Sequence, residues 1–476
     1  MQSSREIERL LIGTLLVLGL IGGITAYWAV LGSETIVERE DNPRRVEKRA
    51  SILRGDIVDR NGVVLVASTP GDDIYTAREY LYPSLYSALG YYSFRYGQGG
   101  AESAYNAILN GDARSHDLGD FLHESLLHLP REGADIRLSF DLTLQNRVGE
   151  LMEGYQGAVV ALSVPDGAVL ALLSSPTYNP NTLDNDWETL IQDEGKPFFN
   201  RVLQGNYQPG GSAYTLLIAA ALLNNIPLDT PYPNARDSVQ LTDVSLECAL
   251  TPPADSLTLA EAYRYGCPAP FVQLIEQIGL EQVAATFDRF YPDPPITLPG
   301  FITEPVAEAI AEVTPEATIE PETAFTLADA LGQGKPIFSP IQLAAITAAI
   351  LNNGNLTQPY TLLATRPPGN AEWISADAPN ATISLFAPEI AQQLNDLLRQ
   401  TTATGNAQSA TSPGLVIGGQ TALAYSGEGT HVWFTGFVQT GNQTSVAVTV
   451  VIENSANYNL AASIGGNVLQ AATHAQ

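Results

Sequence analysis

Positive charge is scarce in this sequence of 476 residues. Lysine and arginine together number 23, against 51 aspartates and glutamates, and the only lysines are Lys48, Lys196 and Lys335. The resulting net charge of −28 at pH 7 repels phosphate backbones and argues against nucleic-acid binding. The shortage of lysine also restricts mechanisms that need an amine as a base or as an anion-binding group.

Histidine and cysteine are rare as well. The five histidines show no spacing typical of a zinc site, so neither a metal nor another cofactor is implied. The two cysteines, Cys248 and Cys267, form a short-loop disulfide if the body of the chain is exported, or stay as two buried thiols if it is not. The residues alone leave both alternatives open.

One long apolar run lies near the N-terminus. Residues 10–31 carry no charged side chain and are long enough to cross a bilayer core of about 30 Å as a helix. No small-residue cleavage site follows the run, which favours an uncleaved anchor over a cleaved signal peptide. Basic residues lie on both sides, with more of them after it, so charge alone does not favour export of the body.

The rest of the sequence combines strand and helix patterns. Residues 53–68 indicate two strands joined by an Asn-Gly turn, and residues 157–174 an apolar hairpin, which predicts a central, covered pair of strands. Apolar helices are predicted near 208–225 and 339–352, and further strands near the C-terminus. This order predicts an α+β fold whose antiparallel sheet is built from both ends of one domain.

Five segments occur in a distinctive order: RGDIVDRNGVVLVAS at 54–68, GAVVALSVPDGAVLALLSSPTYNPN at 157–181, FFNRVLQGNYQPGGS at 198–212, LGQGKPIFSPIQLA at 331–344 and GTHVWFTGFV at 429–438. Together they resemble the class B penicillin-binding proteins, the D,D-transpeptidases of peptidoglycan synthesis. The resemblance covers most of the chain after residue 50. It implies a penicillin-binding, β-lactamase-like transpeptidase domain, in which helices flank a five-stranded antiparallel sheet beside a helical lobe.

The resemblance also implies an organisation along the chain: a cytoplasmic tail (1–9), a transmembrane helix (10–31), a linker (32–50), a pedestal of dimerisation type (51–150) and a transpeptidase-like domain (151–476). Most of the chain would then lie outside the cytoplasm, held at the cell membrane by a single span. In that compartment the resemblance implies that Cys248 and Cys267 pair. The implied partners are proteins of cell-wall elongation or division, or peptidoglycan peptides.

Transpeptidases of this family carry three active-site motifs, S-x-x-K, S-x-N and K-T-G. In the family register, Gly211 stands at the place of the serine nucleophile and Tyr214 at the place of its lysine. A shift of one residue gives Ser212 and Thr215, but threonine cannot serve as the base. Ser212 is therefore interpreted as the cap of the buried helix that follows, with a displaced active nucleophile as the alternative.

The other two motifs are altered too. Their positions hold Gly266, Cys267 and Pro268 at the second motif, and Gln420, Thr421 and Ala422 at the third. The second motif has lost its hydroxyl and its amide. The third keeps its threonine but loses its charge, and it loses the glycine that lets a substrate approach the strand closely. The third segment is interpreted as a structural strand, with retained hydrogen bonding to a peptide as the alternative.

No nearby residue replaces the missing bases. Lys196 and Lys335 lack the required spacing, and His431 lies in a predicted strand, where packing is the simpler interpretation and a role as base the alternative. Loss of all three motifs predicts a non-catalytic family member that binds partners. The alternatives are an active D,D-transpeptidase that uses Ser212, and a receptor that binds a ligand in the emptied cleft.

Overall fold

A computed structural model describes residues 2–27, 52–70, 76–113, 131–242, 244–292, 295–302, 324–379, 382–426, 429–441 and 445–474. The predicted linker at 32–50 lies outside these residues. The first helix, Gln2–Tyr27, overlaps the predicted span at 10–31. By length and apolarity, no helix in the described part of the chain qualifies as a membrane span, so the predicted transmembrane helix is not confirmed.

The strands and helices of the described residues are numbered here in chain order. The strands are β1 (Ile57–Val58), β2 (Val64–Pro70), β3 (Thr76–Tyr80), β4 (Tyr91–Ser93), β5 (Gly97–Gly99), β6 (Asp135–Leu138), β7 (Gly157–Val164), β8 (Val169–Ser175), β9 (Pro231–Tyr232), β10 (Val239–Gln240), β11 (Ser245–Leu246), β12 (Leu257–Thr258), β13 (Asn355–Thr357), β14 (Leu362–Arg366), β15 (Ile374–Ser375), β16 (Thr382–Ser384), β17 (Val416–Ser426), β18 (Gly429–Gln439) and β19 (Ser445–Glu453). The α-helices are α1 (Gln2–Tyr27), α2 (Tyr86–Leu89), α3 (Gly100–Ala104), α4 (Asn106–Leu109), α5 (Leu142–Leu151), α6 (Leu183–Leu190), α7 (Tyr214–Leu223), α8 (Leu259–Tyr265), α9 (Ala269–Ile278), α10 (Leu280–Asp288), α11 (Leu327–Ala330), α12 (Pro340–Leu351), α13 (Pro388–Thr404) and α14 (Tyr458–Ala472). Short 3-10 turns occupy Pro83–Leu85, Gly210–Ala213 and Gln408–Ala410.

A five-stranded antiparallel sheet joins the 157–175 hairpin to the C-terminal strands, in the order β17-β18-β19-β7-β8. Val448 of β19 faces Ala161 of β7, and Gln420 of β17 faces Thr435 of β18. This arrangement confirms the predicted α+β class and the sheet built from both ends of the domain. The prediction that the hairpin is central is wrong for β8, which lies at the sheet edge and is covered by α5 instead of by another strand.

Both faces of this sheet are buried. Successive residues of a strand point to opposite sides, so each strand contributes side chains to two cores. In β7, Ala158, Val160 and Leu162 belong to one apolar core, and Val159 and Ala161 belong to another. Helix α12 packs against the first face, while α14 and α5 supply the second core. The unbroken apolar sequence of β7 therefore follows from its burial on both sides.

A six-stranded sheet, in the order β15-β14-β6-β1-β2-β3, forms a second layer. Its β1–β2 hairpin turns at the predicted Asn-Gly pair. Behind it, the buried Glu102 carboxylate accepts hydrogen bonds from Arg54 and Arg78, each at 2.7 Å. The pedestal and transpeptidase-like boundaries stay a prediction, because β14 and β15 come from the later part of the chain and join the same sheet as β1.

Helices α7, α9 and α10 pack against one another beyond the edge of the five-stranded sheet. Helix α7 is apolar on all sides and eight of its ten residues are buried, so its position is set by packing and not by an amphipathic face. The 3-10 turn that precedes α7 contacts β17, and α13 packs along β17 as well. The start of α7 is thereby held beside the sheet edge.

Candidate functional site

The three motif positions meet where the start of α7, the end of α8 and strand β17 come together. One cavity is lined by residues of all three motifs: Gly211, Tyr214, Gly266, Gln420, Thr421 and Ala422. Four other candidate residues lie outside its lining: Ser212, Thr215, Cys267 and Pro268. The pair that faces the cavity is thus Gly211 and Tyr214, and not Ser212 and Thr215.

The turn that carries the first motif is pressed against β17. Gly210 has a φ of +54°, and a Cβ at this position would lie 1.9 Å from the carbonyl oxygen of Leu423, so only glycine fits. At Gly211 a Cβ would lie 3.4 Å from Cβ of Ala422, an ordinary contact. Position 211 therefore has room for a small side chain, but it carries no nucleophile.

Tyr214 stands at the predicted place of the motif lysine. Its buried ring stacks on Phe271, with the ring centroids 4.4 Å apart. Burial raises the pKa of the Tyr214 phenol well above its ordinary value, so the hydroxyl keeps its proton at neutral pH. Tyr214 consequently supplies neither a base nor a positive charge.

Ser212 lies inside the 3-10 turn Gly210–Ala213. Its hydroxyl is buried and has no hydrogen-bond partner among the described residues. The predicted capping role is wrong, because the residue before α7 is Ala213, whose backbone is already helical (φ −61°, ψ −21°). A displaced nucleophile needs a base within hydrogen-bond reach, and the described residues place none beside this hydroxyl.

Gln420, at the predicted place of the third-motif lysine, is buried, and its side-chain N–H donors bond to residues near the predicted first motif. Its Nε2 donates to Oγ1 of Thr215 at 2.7 Å and to the carbonyl oxygen of Ser212 at 3.3 Å. The hydroxyls of Thr215 and Tyr263 hydrogen-bond at 2.8 Å. Burial raises the pKa of Tyr263 as well, so this buried chain of polar groups is uncharged at neutral pH.

Thr421, the predicted remnant of the third motif, uses its polar groups within the protein. Its hydroxyl donates to the backbone oxygen of Asn406 at 2.9 Å. The side chain of Asn406 also donates to the Thr421 carbonyl oxygen at 2.9 Å and accepts from its N–H at 3.4 Å. The retained threonine therefore has a structural part in holding Asn406 to β17.

The second motif forms a tight turn at the end of α8. Gly266 ends the helix in the left-handed conformation, with φ +64°. Cys267 is bonded to Cys248, the pair that the family resemblance implies. Pro268 precedes the first turn of α9, where its missing N–H costs no helical hydrogen bond. These three residues therefore end one helix, form the disulfide and precede the next helix. None of them has a side-chain hydroxyl or amide that could face the cavity.

The basic side chains identified in the sequence lie elsewhere. Lys196, Lys335 and His431 are absent from the lining of the cavity. The His431 ring packs edge-on against Tyr207, with centroids 5.3 Å apart. Burial lowers the pKa of the His431 imidazole, although the charge of Glu453 opposes the shift. His431 therefore packs within β18 as a neutral side chain at pH 7.

The cavity itself is small and carries little charge. Its volume is about 30 Å³, room for about two water molecules. Sites that bind drug-sized ligands span roughly 300–1,000 Å³. Glu247 is the only carboxylate, and no lysine, arginine or histidine is present, among the residues that line it. The described residues of the site offer neither a ligand-sized space nor positive charge for an anionic peptide terminus.

Several residues that line this site are not among the sequence candidates, and three of them bond to the motif positions or to β17: Tyr263, Gln333 and Asn406. Each comes from a separate segment and belongs to none of the three motifs. The short sequence LGQG around Gln333 belongs to a segment that carries the family resemblance, but nothing in it indicates a contact with β17. Asn406 follows the end of α13, and nothing in the spacing of the sequence places it beside Thr421.

Two family models match the chain: the penicillin binding protein transpeptidase domain over residues 157–471, and the penicillin binding protein A dimerisation domain over residues 54–136. The peptidoglycan D,D-transpeptidase PbpA of Mycolicibacterium smegmatis is 27% identical over 444 residues, which span 87% of this chain and 86% of that protein. PbpA of Mycobacterium tuberculosis is 28% identical over 472 residues, spanning 90% and 91%.

Solved structures agree with these matches. Penicillin-binding protein A from M. tuberculosis, in its imipenem acyl-enzyme complex, superposes with a TM-score of 0.76 at 28% identity, covering 90% of this chain and 99% of that one. The D,D-transpeptidase domain of a peptidoglycan glycosyltransferase from Eggerthella lenta gives 0.74 at 25% identity, covering 89% and 99%. The predicted penicillin-binding transpeptidase fold is confirmed.

Proposed function

We propose that this chain, which belongs to the penicillin-binding protein transpeptidase family, is a non-catalytic member that acts in cell-wall synthesis by binding partners. One observation carries this proposal: the three motif positions line a single water-sized cavity whose residues include no serine, lysine, arginine or histidine. The alternative, an active D,D-transpeptidase, requires those groups at that place.

Acyl transfer of the transpeptidase type needs a nucleophile, a base to take its proton, and donors or charge to hold the substrate. Gly211 replaces the nucleophile and the protonated Tyr214 replaces the base. Gln420 replaces the cation, and its Nε2 is already bound to Thr215. Ser212 does not restore the reaction, because its buried hydroxyl has no partner to accept its proton among the described residues.

The covalent chemistry bears on the compartment. A disulfide such as Cys248–Cys267 is typical of oxidising environments, which supports a place for the body of the chain outside the cytoplasm. Membrane attachment through residues 10–31 stays a prediction from the sequence, and cell fractionation with and without those residues tests it. The partners we propose are proteins of cell-wall elongation or division, or peptidoglycan peptides.

The proposal is tested by D-alanine release from an acylated peptide ending in D-Ala-D-Ala, with an active D,D-transpeptidase as positive control. We expect release by the purified chain to equal that of its Ser212→Ala variant and of buffer. Release that is lost in Ser212→Ala contradicts the proposal and supports the active alternative.

A further inference from the structure

Strand β17 is the outer strand of the five-stranded sheet, and β18 is its strand partner. In an antiparallel ladder the N–H and C=O of one residue point to the same side, and the side alternates along the strand. One set of alternate residues therefore turns its backbone groups away from β18: Ile417, Gly419, Thr421, Leu423 and Tyr425. An edge of this kind is a template on which an extended peptide can pair.

Asn406 occupies this edge at Thr421. Its Nδ2 donates to the Thr421 carbonyl oxygen at 2.9 Å, and its Oδ1 accepts from the Thr421 N–H at 3.4 Å. These are the two hydrogen bonds that one residue of a neighbouring strand would make. Asn406 is 6% exposed, so the contact is buried within the protein.

Gln333 also bonds the edge, but it bridges the backbone groups of two different residues further along the strand. Its Nε2 donates to the Leu423 carbonyl oxygen at 3.2 Å, and its Oε1 accepts from the Tyr425 N–H at 3.0 Å. Near the beginning of β17, the hydroxyl of Thr402 donates to the Ile417 carbonyl oxygen at 2.6 Å. Side chains thus take the places of a paired strand along much of the edge.

We propose that Asn406 and Gln333 form an edge cap, which closes the cavity-facing side of β17 to extended peptides. The inference rests on the proposed non-catalytic function and narrows it. Of the two partner classes, peptidoglycan peptides are then excluded from this cleft.

The edge cap is sterically linked to the altered second motif. A Cβ at Gly266 would lie 3.1 Å from Nδ2 of Asn406 and 2.9 Å from Cβ of Ala249. A serine at position 266 would therefore press on Asn406, in addition to the strain of its left-handed backbone. The glycine in the second motif is one of the conditions that let Asn406 reach β17.

The chain offers a matched control. Asn181 makes the same pair of hydrogen bonds to an edge strand of the other sheet: its Oδ1 accepts from the Tyr80 N–H and its Nδ2 donates to the Tyr80 carbonyl oxygen, both at 2.9 Å. Asn181 is absent from the lining of the cavity. Asn181→Ala thus removes the same chemistry without opening β17.

The experiment is calorimetric titration of the full-length chain with an acylated peptide ending in D-Ala-D-Ala. We expect no binding in the millimolar range by the wild type or by Asn181→Ala. For the variants Asn406→Ala and Asn406→Ala/Gln333→Ala we expect a dissociation constant at least about tenfold lower than that of the wild type. A tenfold change corresponds to about one net hydrogen bond. Equal binding by wild type and variants overturns the inference, and so does a lack of binding by both variants.

A second measurement covers the case in which the variants do not fold. Hydrogen exchange of the wild type should be slow at the N–H groups of Thr421 and Tyr425, which the edge cap bonds, and added peptide should leave that exchange unchanged. Fast exchange there, or protection by the peptide, means that the edge is open and overturns the edge cap. Peptide binding by the wild type without D-alanine release refutes the edge cap alone, whereas D-alanine release refutes the proposed function.

Discussion

Gln420 donates a 2.7 Å hydrogen bond to the hydroxyl of Thr215, which ties the third motif to the first. An active site keeps polar groups available for its substrate, whereas here the donor is satisfied by the protein itself. The same holds for Thr421, whose hydroxyl, N–H and carbonyl all bond to Asn406. The polar residues of the site have become part of the packing that holds α7, α13 and β17 together.

The Thr215 hydroxyl contributes to stability through this network. Thr215→Val leaves Gln420 and Tyr263 each short of a buried partner, so we expect a loss of about 1–3 kcal/mol in the free energy of unfolding. Urea unfolding followed by circular dichroism measures it. The matched control is Thr449→Val, because the buried Thr449 hydroxyl has no hydrogen-bond partner among the described residues. Its stability should be unchanged or higher, and an equal loss in both variants would contradict the network.

Gly210 is required by the close approach of the first motif to β17. Gly210→Ala meets both a positive φ and a backbone oxygen 1.9 Å from the new Cβ, so the turn must move. The control is Gly62→Ala, where φ is +88° but nothing lies within 4 Å of the new Cβ. We expect about 1–2 kcal/mol of destabilisation for Gly62→Ala and clearly more for Gly210→Ala. Similar losses for the two variants would show that the contact with Leu423 is unimportant.

The buried Glu102 should make stability depend on pH. Burial alone would raise the pKa of Glu102, but the charges of Arg78 and Arg54 outweigh it and hold the pKa below its ordinary value of 4.5. Because the pKa is lower in the folded state, the ion pairs stabilise the fold above about pH 4.5, and this contribution is lost as the pH falls through the folded pKa.

Glu102→Gln should therefore lose about 3–5 kcal/mol at neutral pH, because two guanidinium groups remain buried without their carboxylate. The difference from the wild type should shrink in acid. Glu150→Gln is the control, since its ion pair with Arg147 is exposed and should be worth less than about 1 kcal/mol. A loss for Glu102→Gln that is independent of pH would contradict the assignment.

The disulfide should stabilise the turn of the second motif. Cys248 and Cys267 close a loop with a sequence separation of 19, for which chain entropy predicts about 3 kcal/mol. We expect Cys248→Ser/Cys267→Ser to lower the free energy of unfolding in urea by about 3 kcal/mol, with a lower midpoint. Reductant should have the same effect on the wild type. If reductant changes neither the intact mass nor the midpoint, the two thiols are not bonded in the purified protein.

The sheet could be predicted because its strands carry their own signal. The hairpin at 157–174 and the C-terminal strands are apolar because both of their faces are buried, and this pattern is visible in the sequence. The order of the motifs also predicted that Gly211, Gly266 and Gln420 belong to one site. The edge position of β8 could not be predicted from its sequence. Its apolar residues pack against α5, and the same apolar pattern is typical of a strand in the centre of a sheet.

The side chains that occupy the site were beyond reach of sequence reasoning. In the sequence, nothing distinguishes Asn406 and Gln333 from other polar residues. They contact β17 only because the fold brings distant segments together. The cap assigned to Ser212 was wrong because a 3-10 turn extends the helical backbone past that residue, which local propensity does not indicate. Tertiary packing, and not the motif itself, decides what these residues do.

Intact-mass spectrometry of the purified chain after incubation with a penicillin tests the absence of a working nucleophile most directly. An active D,D-transpeptidase treated in parallel verifies the reagent, and circular dichroism verifies the fold of the chain. We expect the mass to stay unchanged, because Gly211 has no hydroxyl and the described residues place no hydrogen-bonded base beside Ser212. Addition of one penicillin mass that disappears in Ser212→Ala would contradict the account.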